Sequence, residues 1–249
     1  MPFMLLRTAF YACAGAVALC SAVSAQSLTG SVSSANITRG EGEVEARYGV
    51  NDEGAAGSRL HVQYAFSDWY RARVIFAATD RVGQGWRYGS TAFENHFQWA
   101  REGADNSGFN GGLRVSYIAG AGNSDDAVGT RLIITDRFAG RWEWRANFHV
   151  GMPVNGRFED DAELEIRANL TRGLDINLPG TSSWRAGVEV FSELGNPNDF
   201  LSDRASAHQA GGMVSFGLTD TISISSRARF GLSPNADDAM FQIAIGRNF

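Results

Sequence analysis

The sequence predicts an all-β fold, a 12-stranded antiparallel up-and-down transmembrane β-barrel, on three observations. First, from Glu43 to the C-terminus apolar and polar residues alternate with a period of two in twelve successive stretches. That period puts one residue set on each face of a strand. Second, the last stretch, Ala239 to Phe249, has Phe241, Ile243, Ile245 and Phe249 on one parity and ends on an aromatic of the apolar face. An apolar edge strand in water invites aggregation, whereas a closed barrel in lipid has no edge and gives the apolar face a solvent. Third, no stretch after residue 25 reaches the eighteen or so consecutive apolar residues of a membrane helix, and the polar inner face of a barrel strand explains why.

Residues 1–25 read as a secretory signal peptide. Arg7 supplies the positive n-region, Thr8 to Val23 an apolar Ala-rich core, and Val23-Ser24-Ala25 a small-residue cleavage site before Gln26. Both cysteines, Cys13 and Cys20, lie in this leader, so residues 26–249 carry no thiol chemistry and no disulfide framework. Losing Arg7 takes the net charge from −5 to −6, which argues against a nucleic-acid partner. All 22 basic residues are Arg. Residues 26–40, rich in Ser and Thr, form a lead-in that either stays periplasmic or folds into a lumen, and the barrel occupies 41–249.

The strands follow in order. Val44, Ala46, Tyr48 and Val50 oppose Glu43, Glu45 and Arg47; Leu60, Val62, Tyr64 and Phe66 oppose Arg59, His61 and Gln63. Tyr70, Ala72, Val74 and Phe76 oppose Arg71 and Arg73; Phe93, Phe97 and Trp99 oppose Glu94, His96 and Gln98. The fifth and sixth strands set Leu113, Val115, Leu132 and Ile134 against Arg114, Arg131 and Thr135. The seventh sets Trp142, Trp144, Phe148 and Val150 against Arg141, Glu143, Arg145, Asn147 and His149. The eighth and ninth place Glu163, Glu165, Arg167, Arg185, Glu189 and Glu193 inward; the tenth is Gly-rich, with Val214, Phe216 and Leu218 facing out; the eleventh turns Arg227 and Arg229 inward. Longer, acidic loops are expected at 79–88, 120–127, 151–160 and 194–206. Trp69, Tyr70, Trp142, Trp184, Phe66, Trp99 and Phe249 should all share one membrane interface, where amphipathic rings gather.

The terminal strand resembles the C-terminal strand of bacterial outer-membrane barrels, which commonly ends on Phe and is read by the insertion machinery; Phe241, Ile243, Ile245 and Phe249 would be that signal. The chain as a whole resembles proteobacterial outer-membrane β-barrels of about twelve strands described as porin-like or transporter-like. The resemblance lies in the acidic first strand (Glu43, Glu45), the Glu193-Leu194-Gly195 stretch, His208 before a Gly-rich strand, Gly231-Leu232 with Ala236 and Asp238, and Phe249. It implies an outer-membrane location, contact with lipid and lipopolysaccharide, and a monomer.

Twelve Arg and eight Glu fall on the inward parity, so the lumen would be about +4 inside an acidic chain. Charged rings of this kind set pore selectivity. The expected pore lining is Arg71, Arg73, Arg145, Arg167, Arg185, Arg227 and Arg229, with Glu143, Glu163, Glu165 and Glu189 as partners, and the expected function is a narrow passive channel for small polar or anionic solutes. The alternative is a plugged structural barrel in which Arg and Glu pair across and fill the lumen. A lipid-modifying hydrolase is a further alternative, which would need a nucleophile and a His base in reach; Ser206 and His208 are the candidates. No His/Asp/Glu spacing suggests a metal, the acidic loops at Asp125-Asp126, Glu159-Asp160-Asp161 and Asp237-Asp238 match no calcium-loop spacing, and no cofactor is implied.

Overall fold

A computed structural model describes residues 28–103, 108–122, 124–203 and 205–249; the expected signal peptide, 1–25, lies outside them. Twelve antiparallel strands form one closed barrel in sequence order, each paired with its chain neighbours and β1 with β12. They are β1 (Gly42–Asn51), β2 (Ala56–Ala65), β3 (Tyr70–Arg81), β4 (Gly85–Arg101), β5 (Gly108–Gly120) and β6 (Ala127–Phe138), followed by β7 (Trp142–Pro153), β8 (Glu163–Gly173), β9 (Ser182–Gly195), β10 (Ala207–Gly217), β11 (Ile222–Gly231) and β12 (Ala239–Asn248). Two short helical pieces decorate one rim: α1 (Phe158–Asp161) between β7 and β8, and a 3-10 turn (Pro197–Asp199) between β9 and β10.

The two rims differ. The strand ends joined by 66–69, 139–141 and 218–221 make the rim that also carries Gly42 and the C-terminus; we call it the terminal rim. The opposite, loop rim holds α1, the 3-10 turn and most of the acidic clusters. One expected loop is absent there: Thr79 pairs with Arg87 and Asp80 with Trp86, so β3 and β4 extend as a hairpin closed by 82–84. Sequence alternation stops at Phe76 because both faces of the extension meet solvent, which removes the period-two signal while the ladder continues. Gly83 and Gly85, at φ of 73° and 74°, supply the left-handed conformations of that tight turn.

The faces sort as the alternation predicts. Phe76, Phe93, Tyr117, Phe148, Phe241, Ile243 and Ile245 are exposed on the outside. An apolar surface running round a whole barrel exceeds what a water-soluble monomer exposes and fits a hydrocarbon surround. The terminal rim carries the aromatics. Phe66, Trp69, Tyr70 and Phe97 pack as a cluster with centroid separations of 5.3–6.3 Å, Trp184 stacks on Phe216 at 4.5 Å, and Arg172 lies over the Trp142 ring at 5.5 Å.

The last residue completes the cylinder. Gly42 N–H donates to the Phe249 carbonyl and Phe249 N–H to the Gly42 carbonyl, both at 3.0 Å. The Phe249 ring lies over Gly42, where any Cβ would collide with it. Two backbone bonds at roughly 1 kcal/mol each hold this corner, so deleting Phe249 should lower the ratio of folded to unfolded chain after refolding into vesicles by roughly 30-fold. The heat-dependent shift of barrel mobility on a denaturing gel measures that ratio.

Candidate functional site

The lumen is occupied. Residues 28–38 do not remain outside the barrel; they run as a strap down its interior, without regular secondary structure from residue 30 on, from Leu28 beside Gly49 near the loop rim to Arg39 at the terminal rim, where Arg39 N–H reaches Asp68 Oδ1 at 3.1 Å. Of the two readings left open for the lead-in, the structure shows the folded-in one. Leu28, Val32, Ala35 and Ile37 are buried, the last two completely.

A strap inside a barrel has no strand partner, so its backbone must bond to wall side chains. Neutral groups supply most of these bonds. Asn147 mimics a strand edge: its Oδ1 accepts Ser33 N–H at 2.7 Å and its Nδ2 donates to the Ser33 carbonyl at 3.0 Å. Thr135 Oγ1 accepts Ala35 N–H and Gln98 Oε1 accepts Ile37 N–H, each at 2.9 Å. At the upper end Gln242 Nε2 donates to the Thr29 carbonyl at 3.2 Å, while Arg47 donates to that carbonyl at 3.2 Å and to Ser31 Oγ at 2.6 Å. Ile75, Ile133, Met240 and Ala244 add a buried apolar component to the inner wall. Gly49 permits the close approach of the strap, since a Cβ there would fall on the Leu28 carbonyl.

Magnitudes indicate how firmly the strap is held. Fixing eleven residues costs on the order of 1–2 kcal/mol each. Burying Leu28, Val32 and Ile37 returns roughly 2 kcal/mol apiece, and the eight bonds above and to Arg145 about 1 kcal/mol each. The two sides are comparable, which marks the strap as an element that opens locally more readily than the wall.

Apart from Glu163, the expected lining residues meet polar partners from neighbouring inward positions, most of them in local charge groups. Glu143 sits between Arg137 and Arg145, each at 2.5 Å, and Arg145 also donates to the Val32 carbonyl at 3.5 Å. Glu189 lies 3.3 Å from Arg227 and 3.5 Å from Arg229. Arg167 pairs with Glu165, which is 3.9 Å from His149. Arg73 lies 3.4 Å from Glu94 and donates to Gln63 Oε1 at 2.8 Å; Arg71 meets His96 Nδ1 at 2.8 Å, and Arg185 donates to Thr171 Oγ1 at 2.9 Å. Glu163 stands exposed at the loop rim.

Two assignments change. Arg141 is in the turn before β7 and pairs with Asp175 on the exposed terminal rim, whereas Arg137, two residues beyond the expected end of the inward run on β6, takes a lumenal position. His149 lies 3.9 Å from Glu165, its direct cross-strand neighbour.

Sequence reasoning also missed Phe191, an apolar side chain on the polar parity. Its ring carries the Arg229 guanidinium at 3.8 Å and that of Arg167 at 5.0 Å, two cation–π contacts that favour the guanidinium cations inside the barrel. Two Arg flanking one aromatic on the inward parity of adjacent strands is the signal that could have found it.

Beside the strap, against β1 to β6, lies a small cavity of about 50 Å3. Arg47, Arg59, Arg73, Arg114 and Arg131 line it with a single carboxylate, Glu94, and the strap's Ser31 and Ser33 form one side of it.

Neither the hydrolase nor the cation-site alternative gains support. The Ser206 hydroxyl donates to the Ser202 carbonyl at 2.7 Å, and the His208 backbone N–H to Ser233 Oγ at 2.9 Å. The loop carboxylates hold loop structure: Asp161 accepts Arg157 N–H at 2.7 Å, Asp160 accepts Asn198 at 2.8 Å, and Asp237 accepts Asn51 at 2.9 Å. The Tyr117 hydroxyl and then the Gly120 amide hold the Asp126 carboxyl below its ordinary range.

This closed cylinder, with its inward arginines, can be set beside known structures. The barrel shares its fold with the KdgM porin. That chain aligns with a TM-score of 0.60 at 10% identity, over 83% of this chain and 99% of the other. The KdgM porin in complex with disordered oligogalacturonate aligns at 0.61 and 8% identity, over 83% and 99%. The NanC porin aligns at 0.54 and 10%, over 83% and 98%. No family model matches the sequence, and no curated protein matches it.

Replacing Asn147 by Ala removes two strap bonds worth about 2 kcal/mol together and should raise strap opening roughly 30-fold. Amide exchange at residues 28–38 measures it. Asn169→Ala, whose amide meets only Met213 Sδ, should leave that exchange unchanged.

Proposed function

We propose that the protein is an outer-membrane channel for small polar or anionic solutes, held closed by its own N-terminal strap. The observation that carries this reading is the excess of inward Arg over Glu, concentrated where the five-arginine cavity meets the strap. A positive constriction with low-dielectric walls concentrates anions and repels cations. The neighbours point the same way, since one of them was solved with an acidic oligosaccharide, oligogalacturonate. The apolar exterior and the aromatic terminal rim support placement in the outer membrane, with lipid and lipopolysaccharide as its surroundings.

On this reading residues 1–25 are the export signal, Phe241, Ile243, Ile245 and Phe249 address the barrel to the insertion machinery, and the terminal rim faces the periplasm. Closure leaves no sheet edge to pair with a second copy, which supports a monomer. No enzymatic role is proposed. A second reading, a structural barrel with no transport, draws on the complete burial of Ala35 and Ile37 in the lumen.

Planar-bilayer recording separates the two. The chain from Gln26 should show rare, small openings, and the chain lacking residues 26–38 a steady anion-selective conductance. Arg71→Gln with Arg73→Gln should reduce that anion preference several-fold while the barrel still folds. Silence from the strapless barrel would establish the structural reading, and cation preference would overturn the arginine-led one.

A further inference from the structure

The cavity beside the strap holds an arrangement that an ion-paired filling does not explain. Arg47 is the direct cross-strand partner of Arg59, and Arg114 that of Arg131. Like charges opposite one another weaken a ladder, yet both pairs face the same cavity. The carboxylates within reach are already engaged. Glu94 lies 3.4 Å from both Arg73 and Arg114, and Glu45 is bonded to Arg47. That leaves Arg59 and Arg131 with no carboxylate partner among the described residues. Arg131 is 7% exposed, and its Nε, the Arg59 Nε and the Arg114 Nη2 are buried without a hydrogen-bond partner. Water could satisfy such N–H groups but would leave the repulsion among five guanidinium groups standing. An anion answers both.

We propose that this cavity is a binding site for a compact divalent oxyanion of the phosphate type, and that its occupancy locks the strap in place. Guanidinium groups present paired N–H donors in the plane that such an oxyanion accepts. The net charge of the lining, five Arg against one Glu, matches a doubly charged ligand better than a monovalent one. Compactness follows from the small volume of the cavity, which Ser31 and Ser33 of the strap bound on one side. Those two hydroxyls belong to the strap, so the site is complete only while the strap is seated. A ligand that needs both wall and strap binds the closed state and draws the equilibrium toward it. The oxyanion is thus an effector of the gate, a role distinct from that of a permeating solute. This inference rests on the proposed function only in treating the strap as movable.

Calorimetric titration of the refolded chain from Gln26 with inorganic phosphate, in a constant chloride background, tests the site without any conductance measurement. One phosphate per barrel is expected, with affinity reduced at least tenfold by Arg131→Gln and by Arg59→Gln. Arg157→Gln, on an exposed loop, should bind as the unsubstituted chain does. Amide exchange at residues 28–38 should slow at least tenfold at saturating phosphate. Absence of saturable binding to the unsubstituted chain would overturn the proposal, whichever variants fold. Unchanged affinity in a folded Arg131→Gln barrel would overturn it equally, as would strap exchange that phosphate leaves unchanged or speeds. Failure of the channel reading shows itself differently, as silence from the strapless barrel.

Discussion

Closure between β1 and β12, through nine paired positions from Glu43–Asn248 to Asn51–Met240, is the constraint on which the rest of the structure depends. It removes both sheet edges at once, and only then can an exterior of exposed Phe, Ile, Val and Leu be tolerated, because no backbone group is left facing hydrocarbon. Closure also fixes which parity is interior. A slip of one residue at the seam would turn Glu45 and Arg47 toward lipid and Val44 and Ala46 toward the lumen. The reciprocal bonds between Gly42 and Phe249 set that register at the terminal rim.

Once the parity is fixed, the interior has to be filled with what the strands present, and twelve strands enclose more space than their own side chains occupy. Two solutions coexist in one cross-section. Around β8 to β11 the charges satisfy one another: Glu189 with Arg227 and Arg229, Glu165 with Arg167, and Phe191 under two guanidinium groups. Through the centre, the strap is held by neutral amides and hydroxyls, Asn147, Thr135, Gln98 and Gln242. A neutral grip is easier to release than a buried ion pair, since parting it strands no charge. The remaining sector, β1 to β6, keeps its arginines in excess around the cavity.

Most of the barrel could be read from the chain because lipid outside and polar groups inside impose opposite demands on alternate residues, and period two survives wherever both demands act. It fails where they do not: at the β3–β4 hairpin beyond the membrane, where residues 79–88 form a paired hairpin rather than a loop, and at Arg141, which the turn before β7 carries to the rim. β12 brings no charge to the lumen, yet the seam is not bland, because β1 and β11 set Glu45, Arg47, Arg227 and Arg229 beside it. The inward direction of Arg71, Arg73 and the other expected lining residues, Glu163 apart, was legible. The strap's seat was not, because its partners Asn147, Gln98 and Gln242 look like ordinary inward polar residues until a backbone lies against them. Phe191, Ile75 and Ile133 broke the polar parity and were the trace it left.

The central claim is that residues 28–38 sit inside the barrel. Since Cys13 and Cys20 both precede Gln26, the chain from Gln26 with Ala35→Cys and Thr135→Cys, which keeps both Asn147 bonds to the strap, has one possible thiol pair. The yield of the cross-link between those two introduced thiols in folded, vesicle-inserted barrel, read by mass spectrometry after mild oxidation or with a short bifunctional thiol reagent, tests the claim most directly. The account predicts near-complete intramolecular cross-linking in the folded barrel and little in the urea-unfolded chain. Equal, low yields in both would place the strap outside the lumen and contradict it.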